Sequence, residues 1–223
     1  EIDGQTKKRA GIGTFCHEFT HIMGLPDIYA TDNDAVHKTS GEWDVLDYGP
    51  YNNGGNTPPA YSAYERWWMG WIEPKVLKDT ASYILPDLSE TKAAAYINST
   101  GKAITNVVNP NPSIFYTLEN RQQKGWDAYL PGEGLLITKI TYNASDWAYN
   151  TVNKRADRLG IDIQEADGLT PTYDKNNRSN GYFGKETDAY PAGSDEFKGL
   201  NKYKITNIAL ENEVISFDLN GGG

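Results

Sequence analysis

The chain has 223 residues, of which 38% are hydrophobic and 12% aromatic, so it can bury the core of one large domain or two small ones. A formal net charge of −9 argues against nucleic acid or an anionic membrane surface as a partner, because Lys and Arg form no sustained run. One cysteine rules out an internal disulfide framework, and no apolar run is long enough to cross a membrane.

The first predicted element is a helix over residues 12–23, which Gly24 and Pro26 are expected to end. At about 100° per residue, its apolar side chains share one face, while His17 and His21 fall together on roughly the opposite face. Glu18 projects beside the two histidines. The apolar face consists of Ile12, Phe15, Cys16, Phe19, Ile22 and Met23, among which Cys16 is expected to be a small buried hydrophobic residue rather than a thiolate ligand.

The helix carries a candidate metal site. Two histidines four positions apart can both reach one zinc ion, and the glutamate between them can hold the attacking water without binding the metal. The simpler alternative is an amphipathic helix whose histidines are solvated. Gly24 and Asp27 extend the pattern to HExxHxxGxxD, the metzincin long motif with aspartate in the third ligand position.

The third ligand has more than one candidate. A left-handed turn at Gly24 would swing Asp27 back towards the metal, although Asp27 can also be an ordinary turn residue after Pro26. The stretch 27–34 is rich in aspartate and resembles a calcium site in composition only. His37 follows it and is expected to be a solvated loop histidine. Glu65 is the other candidate zinc ligand.

Glu65 falls in a predicted second helix over residues 57–71, opened by Pro58 and Pro59 and closed near Gly70. We expect the tryptophans of this helix, Trp67, Trp68 and Trp71, to pack into a core. From about residue 73 the pattern changes to short apolar runs typical of strands. These runs cover residues 81–88, 93–99, 113–121, 134–143, 203–210 and 214–219, with long loops expected over residues 143–200.

Several blocks together resemble the immune inhibitor A-like, or thuringilysin-type, secreted metallopeptidases. The resemblance implies a zinc endopeptidase with His17, His21 and Asp27 as zinc ligands and Glu18 as general base. The blocks are HEFTHIMGLPDIY (17–29), EWDVLDYGPYNNGG (42–55), PPAYSAYERWWMGWI (58–72), LENRQQKGWDAYLPGEGLLI (118–137) and ITNIALENEVISFDL (205–219).

Two positions depart from the pattern of the family. Thr20 stands where relatives commonly have glycine, and Leu46 stands at the methionine position of the Met-turn, where it would keep an apolar floor below the zinc. Tyr48 takes the position of a tyrosine that can bind the metal or the tetrahedral intermediate. We predict Tyr48 as a second catalytic residue, the alternative being an aromatic side chain packed in the turn.

The predicted fold class is α+β. Residues 1–72 are expected to be the C-terminal part of a metzincin-like zincin catalytic domain, with its active-site helix and a second helix, followed by a β-rich sandwich domain over residues 73–220. Such a catalytic domain has a sheet and a helix before the active-site helix, whereas only sixteen residues precede His17. We therefore expect its N-terminal part to be missing from this chain.

The predicted function is a secreted, zinc-dependent endopeptidase acting on protein or peptide substrates. Secretion, or a place on the cell surface, follows from the resemblance alone, and we expect a monomer. The alternative is a non-catalytic, peptidase-like module that keeps a structural zinc and binds protein or glycan through its aromatic-rich β-region.

Overall fold

A computed structural model describes residues 11–32, 35–37, 39–169, 184–200 and 202–222. This part of the chain is a mixed α/β structure with short helices and two sheets. None of its helices has the length and apolar character needed to cross a membrane. The helices are α1 (Gly13–Ile22), α2 (Ala63–Trp68), α3 (Leu88–Thr91) and α4 (Ala144–Ala148), and 3-10 turns cover Gly41–Trp43, Gly49–Gly55, Gly125–Asp127 and Glu186–Asp188.

The strands form a five-stranded and a three-stranded sheet. The larger sheet has the order β1-β3-β4-β5-β6 and is antiparallel except for the β1–β3 pair; the smaller has the order β2-β8-β7 and is antiparallel. All six predicted strands are confirmed, while β1 and β6 were not predicted. The strands are β1 (Lys75–Val76), β2 (Ala81–Leu85), β3 (Ala95–Asn98), β4 (Ile114–Arg121), β5 (Gly134–Thr141), β6 (Ile161–Ile163), β7 (Ile205–Glu211) and β8 (Val214–Leu219).

One hydrophobic cluster joins the two sheets, and another joins the helical part to the larger sheet. One buried cluster contains residues of both sheets, such as Ile137 of β5 and Phe217 of β8. A second cluster joins Leu46 and Trp67, from the helical part, to Phe115 of β4. Side chains on both sides of residue 72 therefore share a core, and the division of the chain at that residue stays a prediction.

Helix α1 turns Thr20 and His17 inward, while Glu18 stays exposed. Thr20 is fully buried, and its hydroxyl donates to Cys16 O (2.6 Å) and bonds the Tyr61 hydroxyl (2.8 Å). Gly13 is also buried, and a Cβ there would overlap Pro50 O, so glycine lets the helix approach the turn Gly49–Gly55. Most of the apolar face is exposed among the described residues, with Ile12, Phe15, Phe19 and Ile22 each between 45% and 79% accessible.

Helix α2 is shorter than predicted. It begins with a capping box, in which the Ser62 hydroxyl accepts from Glu65 N and the Glu65 carboxylate accepts from Ser62 N, so Pro58 and Pro59 precede the helix rather than opening it. Trp67 is buried as expected. Trp71 lies beyond the helix and is 51% exposed, so its prediction as a core residue was wrong.

A buried ionic network joins β4 to the approach of α2. The Arg121 guanidinium, 1% exposed, bonds Glu119 Oε1 (3.0 Å) and Asp127 Oδ1 (2.6 Å), and it also donates to Ala60 O (3.0 Å). Glu119 accepts a hydrogen bond from Ala63 N, and Asp127 accepts one from Ala60 N. The network therefore ties the main-chain groups just before and at the start of α2 to the larger sheet.

Replacing Arg121 with Met should lower the free energy of unfolding by about 3–5 kcal/mol, because two buried carboxylates lose their cation. Equilibrium unfolding in urea measures the change. Arg155→Met is the matched control, because Arg155 pairs with Asp157 at the exposed surface, and it should unfold at the wild-type urea concentration. Wild-type stability in Arg121→Met would contradict a stabilising role for the network.

Candidate metal centre

The two histidines of α1 are oriented by main-chain carbonyl groups. His17 Nδ1 lies 2.9 Å from Val45 O, and His21 Nδ1 lies 2.8 Å from Leu25 O. A carbonyl oxygen can only accept a hydrogen bond, so each Nδ1 carries the proton. In the neutral rings, each Nε2 therefore presents a lone pair, the form that binds a metal.

The turn after α1 brings Asp27 to the same point. Gly24 has a φ of +90° and donates to His21 O, so the chain leaves the helix in the left-handed conformation that its motif position predicts. Asp27 Oδ1 lies 3.0 Å from His17 Nε2 and 3.1 Å from His21 Nε2. The two Nε2 atoms are 3.2 Å apart. Among the described residues, these three side chains form the one group that could hold a metal ion.

The donor atoms fit a zinc ion. Ligand atoms about 2.0–2.1 Å from a tetrahedral zinc are roughly 3.3 Å apart, close to the separations seen here. Two imidazole nitrogens and one carboxylate oxygen are a common donor set for zinc. Asp27 Oδ1 is buried without a hydrogen-bond donor, since both facing Nε2 atoms lack a proton in the tautomer set by the carbonyl groups. Three lone pairs this close are stable together only when they share a cation.

The pKa values of the metal-free group also favour a positive charge beside Asp27. Burial lowers the pKa of His17, but the facing Asp27 carboxylate and the Val45 carbonyl outweigh it, so this pKa lies above its usual value. Burial raises the pKa of Asp27, but the interaction with a protonated His17 and the hydrogen bond from Asn150 outweigh it, so this pKa lies below its usual value. The group therefore favours a positive charge beside Asp27, whether a proton or a metal supplies it.

An open cleft of about 370 Å³ adjoins the group. Its lining includes His17, Glu18 and three tyrosines, Tyr29, Tyr48 and Tyr51. Glu18 is exposed, and the Tyr48 ring lies 4.9 Å from that of Tyr51. The cleft thus holds both residues that the sequence predicts as catalytic.

Residues 5–72 match the catalytic-domain model of the immune inhibitor A peptidases, M6. The match confirms, for this part of the chain, the resemblance found in the sequence. The M6 segment, as we call residues 5–72, contains the three clustered side chains together with Glu18 and Tyr48. A search of curated proteins finds no match to the chain.

The turn at 44–49 lies against helix α1. Val45 supplies the carbonyl that orients His17, and Leu46, fully buried, accepts a hydrogen bond from Ile28 N (2.9 Å) through its own carbonyl. Leu46 thus occupies a buried apolar position next to the residue that follows Asp27. Its side chain packs in the cluster that contains Trp67 and Phe115, and its role as a floor below the zinc stays a prediction.

Glu65 lies outside the three-residue group. Its side chain is fully buried, and its Oε2 accepts from Ser62 N (2.6 Å) in the capping box of α2. Burial raises the pKa of Glu65 to about 7. These contacts show that Glu65 caps the start of helix α2.

Two other expectations for the loop after α1 have different outcomes. His37, expected to be solvated, is buried with its Nε2 2.9 Å from Asn153 O, so that expectation was wrong. Asp34 of the suggested calcium stretch lies outside the described residues. Asp27 of the same stretch faces the two histidines, so it belongs to the candidate metal group rather than to a separate calcium site.

Sequence reasoning missed two residues that contact the group. Asn150 Nδ2 donates to Asp27 Oδ2 (2.6 Å), and Asn150 Oδ1 accepts from Asp27 N (2.7 Å). Tyr29 lies over His17 with ring centroids 6.3 Å apart, and burial, followed by the Asp27 charge, raises the pKa of Tyr29 to about 12. Tyr29 is two residues from Asp27, but Asn150 is 123 positions away, and no local pattern marks it.

Replacing Asp27 with Asn should lower the zinc affinity at least tenfold, because the anionic oxygen facing both Nε2 atoms is lost. Metal content after dialysis, measured by mass spectrometry, tests this expectation. Glu65→Gln is the matched control, because it keeps the shape and the acceptor of the capping box, and it should retain the metal. Zinc retained in Asp27→Asn and lost in Glu65→Gln would make Glu65 the third ligand.

Proposed function

We propose that the chain carries the zinc-binding part of a secreted, zinc-dependent endopeptidase that hydrolyses peptide bonds in protein substrates. The observation that carries the proposal is the convergence of His17 Nε2, His21 Nε2 and Asp27 Oδ1 within 3.2 Å beside an open cleft. The match of residues 5–72 to a peptidase catalytic domain supports the reaction class. The location outside the cell rests on the family resemblance.

The proposed roles follow from the chemistry of each side chain. His17, His21 and Asp27 hold the zinc, which when bound polarises the scissile carbonyl and lowers the pKa of the attacking water. Glu18 accepts the proton of that water and delivers it to the leaving amine. Tyr48 donates its hydroxyl hydrogen to the developing oxyanion.

The proposal includes the finer architecture predicted from the sequence. In it, residues 1–72 are the C-terminal part of a metzincin-like catalytic domain, and residues 73–220 form a sandwich domain. Two observations support it: the Gly24 turn returns Asp27 to the histidines, and one hydrophobic cluster is shared by the two sheets.

The alternative is a binding module with a structural zinc. Structural zinc sites are closed, with four protein ligands, whereas catalytic sites have three and keep one position open. The described residues bring three ligands together beside a cleft lined by an exposed glutamate. This arrangement favours hydrolysis over a structural role.

Replacing Glu18 with Gln should reduce turnover by about 10²- to 10⁴-fold with zinc still bound, because the amide cannot accept the proton of the water. Cleavage of unfolded casein, with and without a chelator, measures the loss. Glu73→Gln, at an exposed position outside the cleft, is the matched control. Undiminished cleavage in Glu18→Gln would rule out the mechanism, and chelator-insensitive cleavage would rule out the role of the metal.

Replacing Tyr48 with Phe should lower kcat by up to about 100-fold and leave KM nearly unchanged, since the hydroxyl acts on charge that develops in the transition state. Steady-state kinetics on a peptide substrate separate the two constants. Tyr129→Phe, at an exposed position outside the cleft, should behave as wild type. An unchanged kcat in Tyr48→Phe would reduce Tyr48 to a packed aromatic residue of the turn.

A further inference from the structure

We propose that Asn150, outside the M6 segment, is a positioning residue that fixes the Asp27 carboxylate for metal binding. The proposal rests on the zinc centre described above and adds a residue to it. Asn150 follows α4, whereas the three ligands lie in α1 and the turn behind it. The segment between α4 and β6 therefore takes part in building the centre.

The Asn150 carboxamide contacts Asp27 at two points. Its Oδ1 accepts from Asp27 N (2.7 Å) and its Nδ2 donates to Asp27 Oδ2 (2.6 Å). One planar group thus holds both the main chain and the side chain of Asp27. These bonds fix the rotation of the carboxylate and leave Oδ1 facing the two histidines.

The hydrogen bond from Asn150 also determines how many oxygens of Asp27 are free to bind a metal. With Oδ2 engaged by Asn150, Oδ1 alone is directed at the metal, so Asp27 is a one-oxygen ligand. A catalytic zinc site needs three protein donors and one open position for water. Partners behind the ligands commonly change metal affinity by 10- to 100-fold.

The backbone holds Asn150 in place independently of Asp27. Asn150 has a φ of +56° and directly follows Tyr149, the last capping residue of α4. Thr151 N donates to Asp146 O (2.9 Å), the hydrogen bond of a Schellman motif. Position 150 is therefore the left-handed residue of a helix C-terminus, where asparagine occurs and glycine is most common.

The same segment is anchored beside the ligand loop. Asn153 is fully buried, and its Nδ2 donates to Ile28 O (2.8 Å) and to Ile161 O (2.7 Å). His37 bonds the Asn153 carbonyl. The residue after Asp27 is thus tied to the loop that carries Asn150, so the distance between Asn150 and Asp27 is fixed from both sides.

The test is Asn150→Gly, which removes the carboxamide and keeps a residue suited to the left-handed backbone. Zinc affinity, measured by competition with a chromophoric chelator, should fall by about 10- to 100-fold. The visible spectrum of the cobalt-substituted chain should change as well, because it reports the arrangement of the ligands around the metal. The unfolding temperature of the metal-free chain should fall by several degrees while the chain stays folded at the assay temperature, because the two hydrogen bonds to Asp27 are lost but the left-handed backbone is kept.

Two further variants make the test specific. Asn207→Gly is the matched control, because Asn207 also has a positive φ (+53°) and donates to a carboxylate, Asp218 Oδ2 (2.7 Å), outside the metal group. It should bind zinc as wild type does. Asn150→Asp keeps the acceptor for Asp27 N but replaces the donor with a carboxylate oxygen, so its zinc affinity should fall at least as far as that of Asn150→Gly.

The outcomes separate this inference from the proposed function. Wild-type affinity and an unchanged cobalt spectrum in Asn150→Gly would overturn the positioning role alone, as would wild-type affinity in Asn150→Asp. A wild-type chain that binds no zinc would overturn both proposals. A wild-type chain that binds zinc without cleaving casein would contradict only the endopeptidase function, because the affinity measurement needs no turnover.

Discussion

The centre depends on two hydrogen bonds to main-chain carbonyl groups, those of Val45 and Leu25. Each one places a proton on Nδ1 of a histidine and thereby turns the Nε2 lone pair towards Asp27. If either ring carried its proton on Nε2, that nitrogen would donate a hydrogen bond to Asp27 Oδ1. A metal ion could then bind the nitrogen only by displacing the proton. The turns around the helix therefore determine whether the two histidines, four positions apart, can bind a metal ion.

This requirement accounts for the orientation of α1. To reach the Val45 carbonyl and Asp27, the helix must turn His17 and Thr20 inward, and Thr20 is satisfied by Cys16 and Tyr61. Most of the apolar side chains, Ile12, Phe15, Phe19 and Ile22, then face outward among the described residues. Amphipathic periodicity predicts which residues share a face, but it cannot tell which side turns inward when polar side chains find hydrogen-bond partners there.

The parts of the structure that local patterns determine were predictable. Six strands follow from their apolar runs, and the Gly24 turn with the nearby Asp27 follows from the motif. The first residue of helix α2 was harder to predict, because Pro58 and Pro59 resemble a helix start. The Ser62–Glu65 capping box sets where the helix begins. The capping box also explains why Glu65, at a plausible spacing for a ligand, is engaged elsewhere.

The residues that sequence reasoning could not find act over long separations. Asn150 touches Asp27 across 123 positions, and Glu119, on β4, accepts from the start of α2 across 56. Neither contact leaves a periodic signal, because each depends on how the sheet and its loops pack against the helices.

Because of these long-range contacts, two separate parts of the chain build the candidate metal centre. Residues 5–72 supply the three clustered donor atoms, His17 Nε2, His21 Nε2 and Asp27 Oδ1, and the carbonyl groups that orient the histidines. The carboxylate of Asp27 sits on a turn, however, and a turn alone does not fix which oxygen faces the metal. Asn150 supplies that constraint from the loop that follows α4, and Asn153 ties the same loop to Ile28. A segment that carried the complete zinc motif but lacked residues 143–161 would keep the ligands and lose the hydrogen bonds that aim the third one.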